Sequence, residues 1–296
     1  MNQDQDTMYD VIIIGGGPAG LSAALNARIR NASVLIITAN PRNTALWKTH
    51  LIDNHVGMPN YSGAQMLDQL AEHVRDREVR TIERRVLNIF DLGENFMVST
   101  GDETFESHAV ILALGTGQTK GYDGEEEFLG RGVSYCATCD GMFYRERPVV
   151  VIGKDVDSVA EANYLDEIGC EVTFVNNVIP EGLNETITTI KGRKYAIVGD
   201  DALEGVEVDG EKVAADGVFI LRPAIAPSQL LDGLELEGPF ISVTADMETS
   251  VPGVWAAGDC TGKPLQVSKA IGQGQVAGLN AADHVKAKQK AAEQAG

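Results

Sequence analysis

The segment from Tyr9 to Thr38 leaves the chain little choice of fold. Tyr9-Asp-Val-Ile-Ile-Ile14 is an apolar run of strand length that ends in glycines, the pattern of a buried parallel strand. Gly15-Gly-Gly17-Pro-Ala-Gly20 follows, then Leu21 to Arg28, rich in helix formers, then a second apolar run from Val34 to Ile37 that ends at Thr38. Strand, glycine turn, helix and strand within about thirty residues make the βαβ unit that binds dinucleotides. In such a unit Gly15 makes the turn, Gly17 lets backbone approach a pyrophosphate and Gly20 lets helix and strand pack closely, while the helix N-terminus presents its unpaired N–H groups to the phosphates. The acid that usually ends the second strand and grips a ribose is replaced by Thr38-Ala-Asn40.

The plan recurs. Pro148 to Gly153 reads as an apolar strand into a turn, Ser158 to Ile168 as a helix and Glu171 to Val175 as a strand. Between the two cycles, Met66, Leu67, Leu70 and Val74 form one helical stripe. Phe96 to Thr100 and Thr104-Phe105 pair across Gly101-Asp102 as a hairpin. Ala109 to Gly115 and Val254 to Asp259 are strands running into Gly or Gly-Asp, where backbone or an acid can meet a cofactor. A last helix is expected from Leu265 to Lys290.

Gly132-Val-Ser-Tyr-Cys136-Ala-Thr-Cys139-Asp140 carries the chemistry. Two cysteines at this spacing can open and close a disulfide, with one thiolate available for exchange. Half of a zinc site and chance are the other readings of the local pattern. With 4 Cys and 5 His in the whole chain, the other two cysteines, Cys170 and Cys260, and the histidines are scattered singly, which does not suit a four-ligand zinc site. Four cysteines in 296 residues are too few for a secreted disulfide framework, and Met1-Asn-Gln-Asp-Gln-Asp is acidic where a signal peptide is basic and then apolar, so a cytoplasmic location is expected. A net charge of −19 argues against nucleic acid and anionic membranes as partners, and no run reaches the ~18–20 apolar residues of a membrane span.

Over essentially its whole length the chain resembles the low-molecular-weight, FAD-containing thioredoxin reductases. The resemblance rests on Gly15 to Gly20, Asp53-Asn54, Ala113-Leu-Gly115, Cys136-Ala-Thr-Cys-Asp140 with Gly141-Met-Phe-Tyr144, and Ala256-Ala-Gly-Asp259 with Gln266-Val267. It implies an α/β fold of two Rossmann-like three-layer domains: a discontinuous FAD domain (1–116 and 242–296) and a smaller inserted domain (117–241) that carries the disulfide. It implies FAD held by Gly15, Gly17, Pro18, Ala19, Gly20, Thr38, Thr44, Ala45, Asn54, Ala113, Gly115, Gly258, Asp259, Gln266 and Val267, with no metal. Thr38 fits, because this family commonly lacks the acidic ribose ligand. Cys139 would face the flavin, Cys136 would attack the disulfide of thioredoxin and Asp140 would move the proton. A homodimer is implied as well, and an insert that turns on hinges at Gly115-Thr-Gly117 and Glu237-Gly238-Pro239.

The inserted domain departs from the family where NADPH would bind. Its glycine motif would be Gly153-Lys-Asp155-Val-Asp-Ser158, of which only the first glycine survives, and Asp155 adds bulk and like charge where a pyrophosphate belongs. The basic cluster that holds the 2′-phosphate is replaced by Asn176-Asn177-Val178. From Pro148 to Ile190 Lys154 is the only base, against Asp155, Asp157, Glu161, Asp166, Glu167, Glu171, Glu181 and Glu185. The pattern resembles the pyridine-nucleotide-independent branch fed by ferredoxin. The stretch from Arg28 to Arg85 holds nine bases and six acids, so a locally basic flavin domain could dock an acidic ferredoxin; solvated helix faces would give the same composition. A reduced deazaflavin, a second flavin or a nicotinamide as donor, and an FAD-bound redox sensor, are the competing readings.

Overall fold

The computed structural model describes residues 8–40, 42, 44, 46–101, 103–115, 121–154, 158–222 and 226–295. Its opening apolar run is β1 (Met8–Ile14), an interior strand whose residues from Val11 to Ile13 are fully buried. α1 (Pro18–Ile29) begins with proline at a position where a missing N–H costs nothing, and β2 (Val34–Thr38) returns parallel to β1, Val11 opposite Val34 and Ile14 opposite Ile37. α2 (Gly63–Arg75) is started by a capping box, in which the Ser62 hydroxyl accepts from Gln65 N–H and the Gln65 side chain accepts from Ser62 N–H. β3 (Arg80–Glu83), β4 (Asn88–Asp91), β5 (Phe96–Ser99) and β6 (Thr104–Leu112) complete the first passage. The two pieces expected at 104–105 and from Ala109 are one strand, β6. Its first half pairs antiparallel with β5, and its second half runs parallel to β1.

The chain then builds a second unit, 119–223. Its elements are α3 (Glu125–Phe128), β7 (Val133–Ser134), α4 (Ala137–Asp140), β8 (Pro148–Gly153), α5 (Ser158–Glu167), β9 (Glu171–Asn176), β10 (Thr188–Lys191), β11 (Tyr195–Gly199), β12 (Leu203–Val208), β13 (Glu211–Ala214) and β14 (Gly217–Leu221). The five-stranded sheet β10-β9-β8-β14-β7 is all parallel. Alternation along β8 sorts the core: Val150 and Ile152 pack toward the antiparallel sheet β11-β12-β13, Val149 and Val151 toward α4 and α5. Both faces are covered, so the strand reads as unbroken hydrophobic sequence.

The chain returns to the first unit through α6 (Pro227–Leu230), which packs on β4, and the hairpin β15 (Leu236–Glu237)–β16 (Phe240–Ile241). β17 (Val254–Ala256) then runs parallel to β6, and α7 (Val267–Ala295) closes the unit. Residues 1–118 and 224–296 form this unit. Its sheet runs β3-β2-β1-β6-β5-β4, with β17 also on β6. α7 lies close against α1 because Gly274 and Gly278 present no side chain: a Cβ there would stand 2.1 Å and 2.3 Å from the carbonyl oxygens of Ala19 and Ala23.

Two expectations change. Residues 226–241, expected in the inserted domain, pair and pack within the first unit. Glu237-Gly238-Pro239, expected as a hinge, is the tight turn of the β15–β16 hairpin, with Gly238 at φ 61°. Thr116 and Gly117 of the other expected hinge lie outside the described residues, as does Ala45. No helix among the described residues is long and apolar enough to cross a membrane.

Candidate active site

β7 stops at Ser134, and the chain turns through Tyr135 into the single turn of α4, with Cys136 just ahead of it. One helical turn brings residues three apart to the same side, and Cys136 and Cys139 close a disulfide with Cα atoms 5.3 Å apart. Cys136 is 8 % exposed while Cys139 is exposed. The reason is local. Cys136 and Ala137 continue the buried path of β7 into the core, and Cys139 lies on the free side of the turn. Cys139 N–H donates to Cys136 Sγ at 3.1 Å, and Thr138 Oγ1 lies 3.3 Å from the same sulfur. Negative charge on Cys136, when the disulfide opens, is therefore met by a fixed donor.

Three acceptors organise this turn, and sequence patterns pointed to only one, Asp140. The Ser134 hydroxyl donates to Asp140 Oδ2 at 2.6 Å and accepts from Cys136 N–H at 3.1 Å. Glu161, in the first turn of α5, accepts from Ala137 N–H at 3.1 Å. The Asp140 carboxylate adds to the effect of burial in pushing the Tyr144 phenol above its ordinary range. Gly141 permits the next turn to lie on α5, since a Cβ would meet Leu165 Cδ2 at 2.7 Å. That turn holds Met142 and Phe143 out of the core, 56 % and 75 % exposed beside the disulfide.

The C-terminal edge of the parallel sheet, where open α/β sheets bind ligands, is filled by the chain itself. Lys154, just after β8, folds over the Tyr195 ring with Nζ 4.5 Å from its centroid and 3.4 Å from Asn176 Oδ1. Burial lowers its pKa. Tyr195 stacks edge-on to Tyr122 at 5.5 Å, and the Arg222 guanidinium lies 5.5 Å from the rings of both Tyr122 and Tyr135. Arg222 is also ion-paired to Glu125, which accepts from Tyr135 Oη at 2.7 Å and from Tyr122 N–H at 2.8 Å. Gly153 serves packing: a Cβ there would stand 2.2 Å from the Phe174 ring. Residues 155–157, including Asp155, lie outside the described residues.

In the first unit the glycine turn is built differently. Gly15, at φ 112°, is pressed against the Ala113 carbonyl, and a Cβ on Gly20 would stand 1.9 Å from the Gly15 oxygen, so helix and strand meet at these two residues. Gly17 faces open space at the N-terminus of α1, next to Pro18 and Ala19. Thr38 Oγ1 accepts from Gly16 N–H at 2.9 Å, so the residue in the ribose-acid position ties the glycine loop. Asn54 Nδ2 donates to Gln266 Oε1 at 2.8 Å, bringing two expected cofactor residues together, with Val267 starting α7 beside them. Trp47 N–H donates to Thr44 Oγ1 at 3.2 Å, and Gly115, at φ 66°, has no neighbour where a Cβ would lie.

Gly258 N–H donates to Gln273 Oε1, and Lys269 Nζ donates to the carbonyls of Gly258 and Gly262. Neither Gln273 nor Lys269 stood out in the sequence, because one amide and one amine on a long helix leave no pattern. Asp259 Oδ1 is buried without a hydrogen-bond partner, and burial raises the Asp259 pKa against the pull of Lys269. The chemistry that fits is an anionic diphosphate at Gly17 and a hydroxyl donor at Asp259. Among the described residues no group of three or more His, Cys, Asp or Glu is placed to hold a metal ion.

The two remaining thiols are inert by position. Cys170 is buried under Gly141, its pKa raised by burial, and Cys260 is pushed up to about 11 for the same reason. The native oxidised protein is expected to show no fast-reacting thiol towards an aromatic disulfide reagent at pH 8, and two thiols once denatured. A thiol that reacts within seconds in the native state would contradict this burial.

The model of the pyridine nucleotide-disulphide oxidoreductase family matches residues 9–274. A thioredoxin reductase from Listeria innocua is 31 % identical over 311 residues, 98 % of each chain. Among solved structures, a ferredoxin-flavin thioredoxin reductase from Clostridium acetobutylicum superposes with a TM-score of 0.89 at 34 % identity, over 96 % of this chain and 99 % of the other. A thioredoxin reductase from Gloeobacter violaceus gives 0.80 at 31 % identity, over 95 % of each.

Proposed function

The chain belongs to the pyridine nucleotide-disulphide oxidoreductase family, and from that premise we propose that it reduces thioredoxin through bound FAD and the Cys136–Cys139 disulfide, with electrons from reduced ferredoxin rather than NADPH. The observation that carries the choice of donor is the occupied crevice of the second unit. Its surviving glycine is used by Phe174, and its base after β8 is held over Tyr195. Arg222 at the end of β14 is engaged by Glu125. A dinucleotide diphosphate would have to displace these groups. The solved Clostridium structure named above is of a ferredoxin-flavin enzyme, which supports the same reading.

What FAD supplies when bound is acceptance of single electrons and release of a pair. The chain does the rest. Cys139, the exposed sulfur, receives the pair, and Cys136 leaves as a thiolate held by Cys139 N–H. Cys136 then attacks the thioredoxin disulfide, and the sulfur released from thioredoxin takes a proton from Asp140. Cys139 then attacks Cys136 Sγ in the mixed disulfide and displaces the thioredoxin sulfur, which leaves with the proton that the Cys139 thiol gives up, so thioredoxin departs as a dithiol and the Cys136–Cys139 bond is restored. Met142 and Phe143 offer an apolar contact for the partner beside the reacting sulfur. The working form is expected to be a homodimer in the cytoplasm.

Anaerobic mixing of the oxidised holoprotein with NADPH, NADH, reduced deazaflavin and reduced ferredoxin in turn, followed by flavin bleaching, tests the donor. Ferredoxin is expected to bleach the flavin rapidly, and the nicotinamides slowly or not at all. Rapid bleaching by NADPH would sink the proposal, and bleaching by deazaflavin without ferredoxin would replace the donor.

A further inference from the structure

We propose that Ser134 is a positioning residue for the exchange reaction, holding Asp140 in register with Cys136 once the disulfide is open; this rests on the reading that Asp140 moves the proton. Ser134 ends β7, is 6 % exposed and pairs in parallel with Phe219 of β14, so its hydroxyl projects from a fixed strand end. It has one proton to donate. The Asp140 carboxylate takes it at 2.6 Å, a short charge-assisted bond, in preference to the Cys136 carbonyl at 3.3 Å. The lone pairs that remain accept Cys136 N–H at 3.1 Å. One oxygen atom therefore ties the acid and the attacking cysteine to the sheet.

The tie matters most in the reduced state. While the disulfide is closed, the covalent bond itself fixes α4, which carries Cys139 and Asp140. When the bond opens, that constraint is lost, and a helix of one turn does not hold its own geometry. Among the described residues, Glu161 then still holds Ala137 N–H at the start of this segment, and Ser134 reaches Asp140 at its end.

The test uses the full-length holoprotein, chemically reduced in advance so that the identity of the donor does not enter. It is mixed with oxidised thioredoxin in a single turnover. Ser134→Ala is expected to slow the reduction of thioredoxin by about tenfold to a hundredfold, the effect of removing a hydrogen bond to a charged group. Flavin content and the oxidised-state melting temperature should stay close to wild type. Ser134→Thr, which keeps the hydroxyl, should restore the rate to within roughly threefold. The double variant Ser134→Ala with Asp140→Asn should be no slower than Asp140→Asn alone, because the two groups act as a unit. Ser134→Gly serves for the same comparison where Ser134→Ala does not fold. A wild-type rate for the hydroxyl-free variant, or full additivity with Asp140→Asn, would overturn the proposal. A wild-type rate for Asp140→Asn would instead remove Asp140 from the mechanism, so the two failures are distinct.

Discussion

Cys136→Ser is expected to leave a protein whose flavin is still reduced by its donor but which passes no electrons to thioredoxin. The loss should exceed about a thousandfold, because a serine hydroxyl at neutral pH neither forms the disulfide nor attacks one. Flavin bleaching under anaerobic conditions and a thioredoxin disulfide assay separate the two halves of the reaction. The companion variant, Cys139→Ser, decides which sulfur attacks. With its resolving thiol gone, it should accumulate a mixed disulfide between Cys136 and thioredoxin, visible as a band that reductant dissolves. Cys136 is the more buried residue of the closed disulfide and Cys139 the more exposed one. The hydrogen bond from Cys139 N–H to Cys136 Sγ favours the order given, since it stabilises the thiolate that must attack. A mixed disulfide trapped by Cys136→Ser and not by Cys139→Ser would reverse the roles.

Glu125→Ala is expected to cost about 3–5 kcal/mol of stability, because it strands the Arg222 guanidinium in the interior without its carboxylate. The two side chains are 1 % and 3 % exposed, and Glu125 also accepts from Tyr135 Oη and Tyr122 N–H, so three groups lose a partner at once. Replacing the pair together, with Glu125→Leu and Arg222→Met, should cost much less, since an apolar pair carries no charge to strand. Denaturant titration followed by far-UV circular dichroism is the suitable measurement: Trp47 and Trp255 both lie in the first unit and do not report on the second. A loss under about 1 kcal/mol for Glu125→Ala would mean that water reaches the site and that the crevice is not closed by these residues.

These residues also show where sequence reading stops. Glu125 lies in an acidic run, Glu125-Glu-Glu127, that looks like ordinary solvated surface, and Arg222 is a single base after an apolar strand. They are 97 positions apart, and only the parallel placement of β14 and β7 brings them together. Ser134 escaped notice for a related reason: its role depends on a bond across a turn, and serine before a CxxC has no periodicity to detect. The small antiparallel sheet β11-β12-β13 was also missed, since its short strands alternate too briefly to stand out. Glu237-Gly238-Pro239 suits a hinge and a tight turn equally well in sequence, and only the pairing of β15 with β16 shows the turn.

What the sequence determined by itself was the chemistry and the frame that carries it: the Cys136–Cys139 spacing, two βαβ cycles and a second glycine motif that keeps only its first glycine. These are local patterns, written within one turn, one strand or one βαβ unit, and physics reads them there because steric limits on glycine and the repeat of strand and helix act over a few residues. Only the tertiary structure decided how the second crevice is filled, which sulfur is buried and which hydroxyl holds the acid. Those depend on side chains far apart in the chain meeting at a sheet edge or a buried turn. Burial and charge pairing are properties of that meeting rather than of any one segment.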